Sequence, residues 1–361
     1  MHATADRCSP LSARRRAPVK GLHAPAPFRM RKLLGRGSHS WVYEAQVHDL
    51  STGTHAARVA VKVERDASGQ LENEMRLLRR LAASNELSPR FTPALYWTGA
   101  CGPYPALAMS LCGPSLHHLR KHVCGGRLSV ASTLMAADQL LSAFEYVHDR
   151  GVLHLSVKDR NVAVHSDAPQ RLMLVDFGRG CCQHGTEGAT ATEATGRRFL
   201  GACCSVNAWR AGPLGRRDDL ESLGYMLVRL LRGSLPWESE EGRRRVLTED
   251  DDDAAIDLMC AGTGHLRHLE AIRVNLAKEK YEPAAICPPG APSIFGYMIA
   301  KTRRLTHDAR PPYALWRELC CQAFREQRVA SGGGAPAATV GAWWSAGTFD
   351  WMRSSASPDR A

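Results

Sequence analysis

The chain has 361 residues, 44% of them hydrophobic, and a formal net charge of +11. That length carries one large domain or two medium ones around a sizeable core. The charge fits an acidic partner or simply a solvated basic surface. No apolar run reaches the roughly 18 residues of a membrane-spanning helix, and the first residues lack a signal-peptide stretch. The 12 cysteines include the adjacent pairs Cys181-Cys182, Cys203-Cys204 and Cys320-Cys321, which do not have zinc-ligand spacing. These features predict a reduced, intracellular setting, cytoplasmic or nuclear, without disulfides, a cysteine-held metal or a membrane.

Residues 1–27, rich in Arg, Ala and Pro and including Arg14-Arg15-Arg16, read as a disordered basic tail. Alternating apolar patterns over Trp41–Ala45 and Arg58–Val63 predict strands. Leu71, Met75, Leu78 and Leu81 recur at helical spacing. From Leu116 the apolar runs lengthen, predicting helices over Ala131–His148 and Asp219–Leu231. A small β-rich half before a larger α-rich half predicts the α+β class. The charge run at 238–255 reads as a solvated insertion and Gly332–Ala338 as a flexible linker. Trp343–Met352 is aromatic enough to pack back onto the domain. The expected division is 28–112, 113–328, and a tail at 329–361 that packs back in part.

Leu34-Gly35-Arg36-Gly37-Ser38-His39-Ser40-Trp41-Val42 is glycine-rich. Alone it reads as an ordinary β-turn. It also resembles the glycine-rich loop of protein kinases, with Ser40 in place of the third glycine. Such glycines let backbone N–H groups approach phosphates closely. The following stretches sharpen the likeness. Val59-Ala60-Val61-Lys62 offers a lysine for nucleotide phosphates, and Glu74 offers the carboxylate that fixes that lysine. Asp176-Phe177-Gly178 follows an apolar strand, and its carboxylate, with Asn161 upstream, supplies oxygen ligands for Mg²⁺.

Further on the resemblance narrows to the casein kinase 1 group. Gly215-Arg216-Arg217-Asp218-Asp219-Leu220-Glu221-Ser222-Leu223-Gly224-Tyr225 and Gly233-Ser234-Leu235-Pro236-Trp237 resemble its signature. Ser205-Val206-Asn207 resembles its replacement for the usual APE motif. Arg310-Pro311-Pro312-Tyr313, Phe349-Asp350-Trp351 and Asn161-Val162-Ala163 resemble the tau-tubulin kinase branch. The likeness covers about residues 28–352 and implies a bilobal protein kinase fold that binds ATP and Mg²⁺. Gly35 and Gly37 would then face phosphates, and Val42, Ala60 and Ala163 would enclose adenine. Met109 would be the gatekeeper, and Leu111 and Cys112 the hinge. Asp219 would brace the catalytic loop, with His154 and Phe177 as packing residues.

The catalytic loop departs from the family's His-Arg-Asp-x-Lys-x-x-Asn. Here it reads His154-Leu155-Ser156-Val157-Lys158-Asp159-Arg160-Asn161. Lys158 and Asn161 are retained, but Leu155 replaces the arginine and Ser156 the catalytic aspartate. That aspartate accepts the proton of the substrate hydroxyl, which a neutral serine does not do. Losing a positioned general base costs about 10²–10⁴-fold in rate. Asp159 is expected to point elsewhere. A second departure spans Gly178-Arg179-Gly180-Cys181-Cys182 and Gly201-Ala202-Cys203-Cys204, where the family's substrate-binding arginine is not visible. The expectation is a kinase homologue that binds ATP and Mg²⁺ with poor phosphotransfer and acts on an unknown protein partner as scaffold or regulator. The alternative is a weakly active or atypical serine/threonine kinase. Nucleic acid is disfavoured as a partner because the tail's basic residues are not interleaved with aromatics.

Overall fold

The computed structural model describes residues 28–48, 55–66, 68–82, 90–183, 201–210, 212–245, 266–332 and 347–353. The expected basic tail, residues 246–255 of the charge run, the linker beyond residue 332 and Trp343 lie outside the described residues.

Five strands form the first layer: β1 (Phe28–Arg36), β2 (Ser40–His48), β3 (His55–Glu64), β4 (Leu95–Cys101) and β5 (Tyr104–Ser110). They make an antiparallel sheet in the order β1-β2-β3-β5-β4. The two-residue period of a strand sends alternate side chains to opposite faces. On β3 this puts Val59, Val61 and Val63 into a core shared with Phe28, Tyr43, Ala45, Ala106 and Ala108. Ala60 joins the opposite face, where it packs with Leu71, Leu107 and Met109. Helix α1 (Gln70–Ala82) crosses that face and buries Leu71, Glu74, Leu77, Leu78 and Leu81. Glu74 is thus a carboxylate at a core position of an otherwise apolar stripe.

The second half is helical. A short strand β6 (Cys112–Ser115) leads into α2 (Leu116–His122) and the long α3 (Val130–Asp149). Helix α3 starts where the Ser129 hydroxyl accepts the Ser132 N–H at 3.2 Å, satisfying a donor that has no partner within the helix. Strand β7 (Val152–Leu153), a 3₁₀ turn at Asp159–Asn161, β8 (Val162–His165), β9 (Leu172–Leu174) and β10 (Cys181–Cys182) carry the loops beneath the sheet. Strands β6, β8 and β9 form one small sheet, and β7 pairs with β10. Helices α4 (Val206–Trp209), α5 (Arg216–Arg232), α6 (Glu240–Arg244), α7 (Leu266–Lys280), α8 (Pro283–Ile286), α9 (Ser293–Thr302), α10 (Tyr313–Ala330) and α11 (Asp350–Arg353) follow. Phe144, Tyr225, Trp237, Phe295, Trp316 and Phe324 are fully or almost fully buried in one core that also takes Leu77, Leu78 and Leu81 of α1. The fold is α+β, as expected.

The charge run does not begin as a solvated loop. Glu240–Arg244 is helical, and Arg243 is buried, with Nη1 donating to the Trp237 carbonyl at 2.9 Å. Tyr281 Oη donates to the Gly242 carbonyl from α7's end. These contacts draw Gly242 and Arg243 into the fold, while Glu240, Glu241, Arg244 and Arg245 stay exposed. The chain's last described residues pack back as the aromatic pattern implies. Phe349 and Trp351 stack at 4.2 Å, and Asp350 accepts the Ser129 N–H at 2.7 Å at the head of α3.

Candidate active site

The sheet and the helical half meet at a cleft. Lys62, from the middle of β3, reaches Glu74 Oε2 at 2.5 Å and Asp176 Oδ1 at 2.8 Å. Lys62 and Glu74 are buried, whereas the Asp176 side chain is 42% exposed toward the cleft. Burial works against the Lys62 charge, but the two carboxylates outweigh it and hold its pKa above the usual lysine value. For Asp176 desolvation also opposes the charge, and the Lys62 ammonium overcomes it, so its carboxyl is lowered. Burial raises Glu74, against the pull of Lys62. Glu74 Oε1 also accepts the Phe177 N–H at 3.2 Å. One carboxylate therefore fixes both the lysine and the backbone after Asp176.

Two further α1 residues hold that arrangement. Asn73 Nδ2 donates to the carbonyls of Gly178 and Gly180 at 3.1 and 2.8 Å, and Arg76 Nη1 lies 3.3 Å from Cys182 Sγ. A Cβ on Gly180 would stand 2.6 Å from the Leu153 carbonyl, so glycine is required by the close approach of β7. The Gly178–Cys182 segment is thus built into the fold.

The loop between β7 and β8 is organised by Asp219 of α5. Its carboxylate accepts the N–H groups of His154 and Leu155, each at 2.7 Å, and faces His148 Nε2 at 2.9 Å. The paired N–H groups hold Leu155 at φ 55°, a left-handed conformation that branched residues rarely adopt. Asp176 is also left-handed, at φ 68°. His154 is fully buried, and burial lowers its pKa, keeping it neutral. Its Nε2–H donates to the Val175 carbonyl while Nδ1 accepts the Ser156 N–H at 3.3 Å. Its ring lies 4.6 Å from Phe177. His154 packs and positions; its imidazole faces no open space.

Asn161 Nδ2 donates to both the carbonyl and the hydroxyl of Ser156, at 2.9 and 3.1 Å. That commitment leaves Oδ1 as the atom available to a cation. Ser156 and Lys158 line a cavity of about 140 Å³ with Leu155, Arg179, Ala202 and Cys203. Asp218 also lines it, but its oxygens are taken by the Ser205 hydroxyl at 2.6 Å and the Gly215 N–H at 2.8 Å. Asp159 turns away and is buried, with Oδ2 3.2 Å from both His117 Nδ1 and Arg120 Nη2 and Oδ1 3.7 Å from Arg229 Nη1.

On the other side of the cleft, Val42, Ala60, Met109 and Leu111 share one apolar cluster. Ala163 does not join it; it is buried on β8, paired with Ser115. Cys112 starts β6, and burial pushes its thiol up to about 11. Gly37 sits in the turn between β1 and β2, its N–H donating to the Ser40 carbonyl at 2.8 Å. A Cβ on Gly35 would meet nothing within 4 Å, so the fold itself does not demand glycine there. Open space over such a residue suits the close approach of an anionic ligand.

A family model described as a protein kinase domain matches residues 28–268. The chain belongs to the protein kinase family. The matched stretch contains the lysine, the two carboxylates and the loop between β7 and β8.

Of the residues expected from sequence, the fold brings Lys62, Glu74 and Asp176 into contact and sets Asn161 and Asp219 against the loop between β7 and β8. Sequence reasoning misses Asn73, Arg76, Arg120 and His148, whose work is to hold other residues. His148 Nδ1 meets the Tyr313 hydroxyl at 2.5 Å. Tyr313 belongs to the Arg310–Tyr313 motif, the one signal that points there. By sequence Leu155 is only a lost arginine. In the fold it packs with Leu153, Cys181, Cys204, Ala208 and Leu214, an apolar role of its own.

Proposed function

We propose that this chain is a casein kinase 1 group homologue, near the tau-tubulin branch, that binds Mg-ATP and has lost efficient phosphotransfer. Its role is then to present a nucleotide-dependent surface to a protein partner, as scaffold or regulator. The observation that carries this reading is the hydroxyl of Ser156 beside the Asn161 amide, at the position where the family has its catalytic carboxylate. Two neighbouring carboxylates, Asp159 and Asp218, are both committed to partners of their own.

The residues present fit the nucleotide and its metal. Lys62 offers a fixed ammonium, Asp176 and Asn161 offer oxygen atoms for a hard cation, and Val42, Ala60, Met109 and Leu111 offer an apolar wall. Gly35 leaves the loop backbone open to phosphates, Gly37 shapes the turn beside it, and Leu111 and Cys112 stand where the hinge would bind adenine. Bound Mg-ATP supplies an electrophilic γ-phosphoryl group. What this chain's own residues do is hold charge against it: Lys62 and Lys158 are positioned cations, and Asn161 orients the loop. No side chain at position 156 accepts the hydroxyl proton of a substrate.

A weakly active serine/threonine kinase is the second reading. The closed Lys62–Glu74–Asp176 arrangement favours it, because phosphoryl transfer is largely positioning and electrostatics. Two measurements on one preparation separate the readings: thermal shift with ATP, with and without Mg²⁺, and phosphate transfer to casein. The expected outcome is a magnesium-dependent rise in melting temperature, lost in Lys62→Ala, with transfer near background. Absence of any shift at millimolar Mg-ATP would remove the nucleotide-binding claim. Brisk transfer that disappears in Asp176→Ala would establish the enzyme reading instead.

A further inference from the structure

A charged hollow of the helical half lies away from the catalytic cleft. It occupies about 460 Å³ between α3, the turn joining β8 to β9, and α10. Strands β8 and β9 run from this turn to Asn161 and Asp176, so the hollow and the cleft sit at opposite ends of the same short sheet. A concave space of that size holds a peptide side chain with its neighbours.

Its charges do not balance. Arg90, Arg150, Arg171 and Arg317 line it, against Glu145 and Asp149. The carboxylates are already engaged. Arg310, outside the hollow, holds Glu145 at 3.0 Å and also binds Asp149. Arg317 is spent on buried Asp138, with Nε to Oδ1 at 2.9 Å. Among the described residues no salt bridge forms at Arg90 or Arg171, and both are exposed. The result is an excess of guanidinium charge around one space.

The arginines are also placed rather than loose. Phe91 and Tyr146 lie with ring centroids 5.6 Å apart. The Arg90 guanidinium sits 5.4 Å from the Phe91 centroid, and that of Arg150 3.6 Å from the Tyr146 centroid. Stacking of this kind fixes the plane of each guanidinium at little cost to its outward N–H groups. Tyr146 Oη donates to the Leu81 carbonyl at 2.9 Å, which anchors the aromatic pair. The floor is set by Gln139, which donates to the Gln170 carbonyl and accepts the Leu172 N–H. The β8–β9 turn that carries Arg171 is therefore held against α3.

We propose that this hollow is a docking site for a phosphorylated side chain on a partner peptide. Several planar guanidinium groups facing one space match the geometry of a phosphomonoester, which accepts paired N–H donors. The concavity favours a peptide over the flat surface of an anionic membrane. The site does not depend on whether the cleft binds nucleotide.

The test uses the full chain and a short fluorescent peptide carrying one phosphoserine, followed by anisotropy. Binding is expected, with inorganic phosphate competing and the unphosphorylated peptide failing to bind. Arg90→Glu with Arg171→Glu should weaken binding about tenfold or more, the scale of one charge-assisted hydrogen bond. Both residues are exposed, so the melting temperature should stay near that of the wild type. Arg29→Glu with Arg31→Glu, on β1, changes the net charge equally and should leave binding intact. The proposal is overturned if both double variants weaken binding alike, since net charge alone would then explain it. Unchanged binding in Arg90→Glu with Arg171→Glu would also overturn it. So would binding to phosphatidylserine vesicles without binding to the phosphopeptide.

Discussion

The two walls of the cleft are built on different principles. On the nucleotide wall, the residues suited to chemistry also hold the fold. Lys62 joins β3 to α1 and to Asp176, and Glu74 accepts both the lysine and the Phe177 N–H. On the loop wall the two jobs part at position 156. Asp219, His154 and Asn161 hold the backbone, and among the described residues the side chain at position 156 receives only the Asn161 amide. A change at Lys62 or Glu74 therefore disturbs structure and binding together. A change at position 156 leaves the loop standing. On the proposed reading, this is how a catalytic carboxylate can be absent from a chain whose loop still folds.

The largest effect that sharpens this comparison is a gain. Ser156→Asp places a carboxylate in the cavity of about 140 Å³ beside Lys158, within reach of the Asn161 amide. Transfer to casein should rise by about 10²–10⁴-fold, the usual worth of a positioned general base, with little change in melting temperature. No gain, with nucleotide binding intact, would put the defect in the Gly201–Cys204 stretch instead. No further gain is expected at position 155. Leu155→Arg would drive a guanidinium into the apolar cluster of Leu153, Ala208 and Leu214 and should lower stability rather than raise the rate.

The second test asks whether Asp159 belongs to chemistry or to fold. It is buried against His117, Arg120 and Arg229. Removing one member of a buried ion network leaves the remaining charge uncompensated, at about 3–5 kcal/mol. Asp159→Ala should lose that stability in urea unfolding. In the Ser156→Asp background, transfer per folded molecule should be unchanged. A selective loss of transfer would mean that the carboxylate serves the reaction.

The bilobal division and the nucleotide wall are legible in the sequence because they rest on short-range signals. Alternation along β3 sets Lys62 apart from Val61 and Val63, and helical spacing puts Glu74 on the buried stripe of α1. The supporting contacts are not legible, because they join residues far apart in the chain. Asn73 reaches the carbonyls of Gly178 and Gly180, and His148 bridges Asp219 and Tyr313. Nothing local marks an asparagine or a histidine on a helix for such work. The start of the charge run misleads for the same reason. Composition alone makes Arg243 a solvated residue, whereas the Trp237 carbonyl, six positions earlier, takes it into the core.

The smallest expected effect concerns Asp218, which caps α5 and lines the cavity beside Ser156. Burial raises its carboxyl to about 6, although the Ser205 hydroxyl, the Gly215 N–H and Arg217 all pull the other way. An acid with a raised pKa binds its proton more tightly in the folded chain than in the unfolded one. Between the ordinary carboxylate value of 3.8 and about 6, folding therefore takes up a proton, and stability falls as pH rises. This contribution is fully present below the ordinary value and lost as pH passes about 6. A tenfold change in proton affinity is worth about 1.4 kcal/mol, which sets an upper limit of about 3 kcal/mol. Asp218→Asn cannot titrate. The stability advantage of the wild type over this variant should shrink from pH 4 to pH 7, measured by urea unfolding at each pH. An advantage that grows over the same range would mean that the hydrogen bonds from Ser205 and Gly215 outweigh burial and that Asp218 is charged in the fold. The cavity beside Ser156 would then contain a fixed negative charge, which would work against the approach of an acidic peptide.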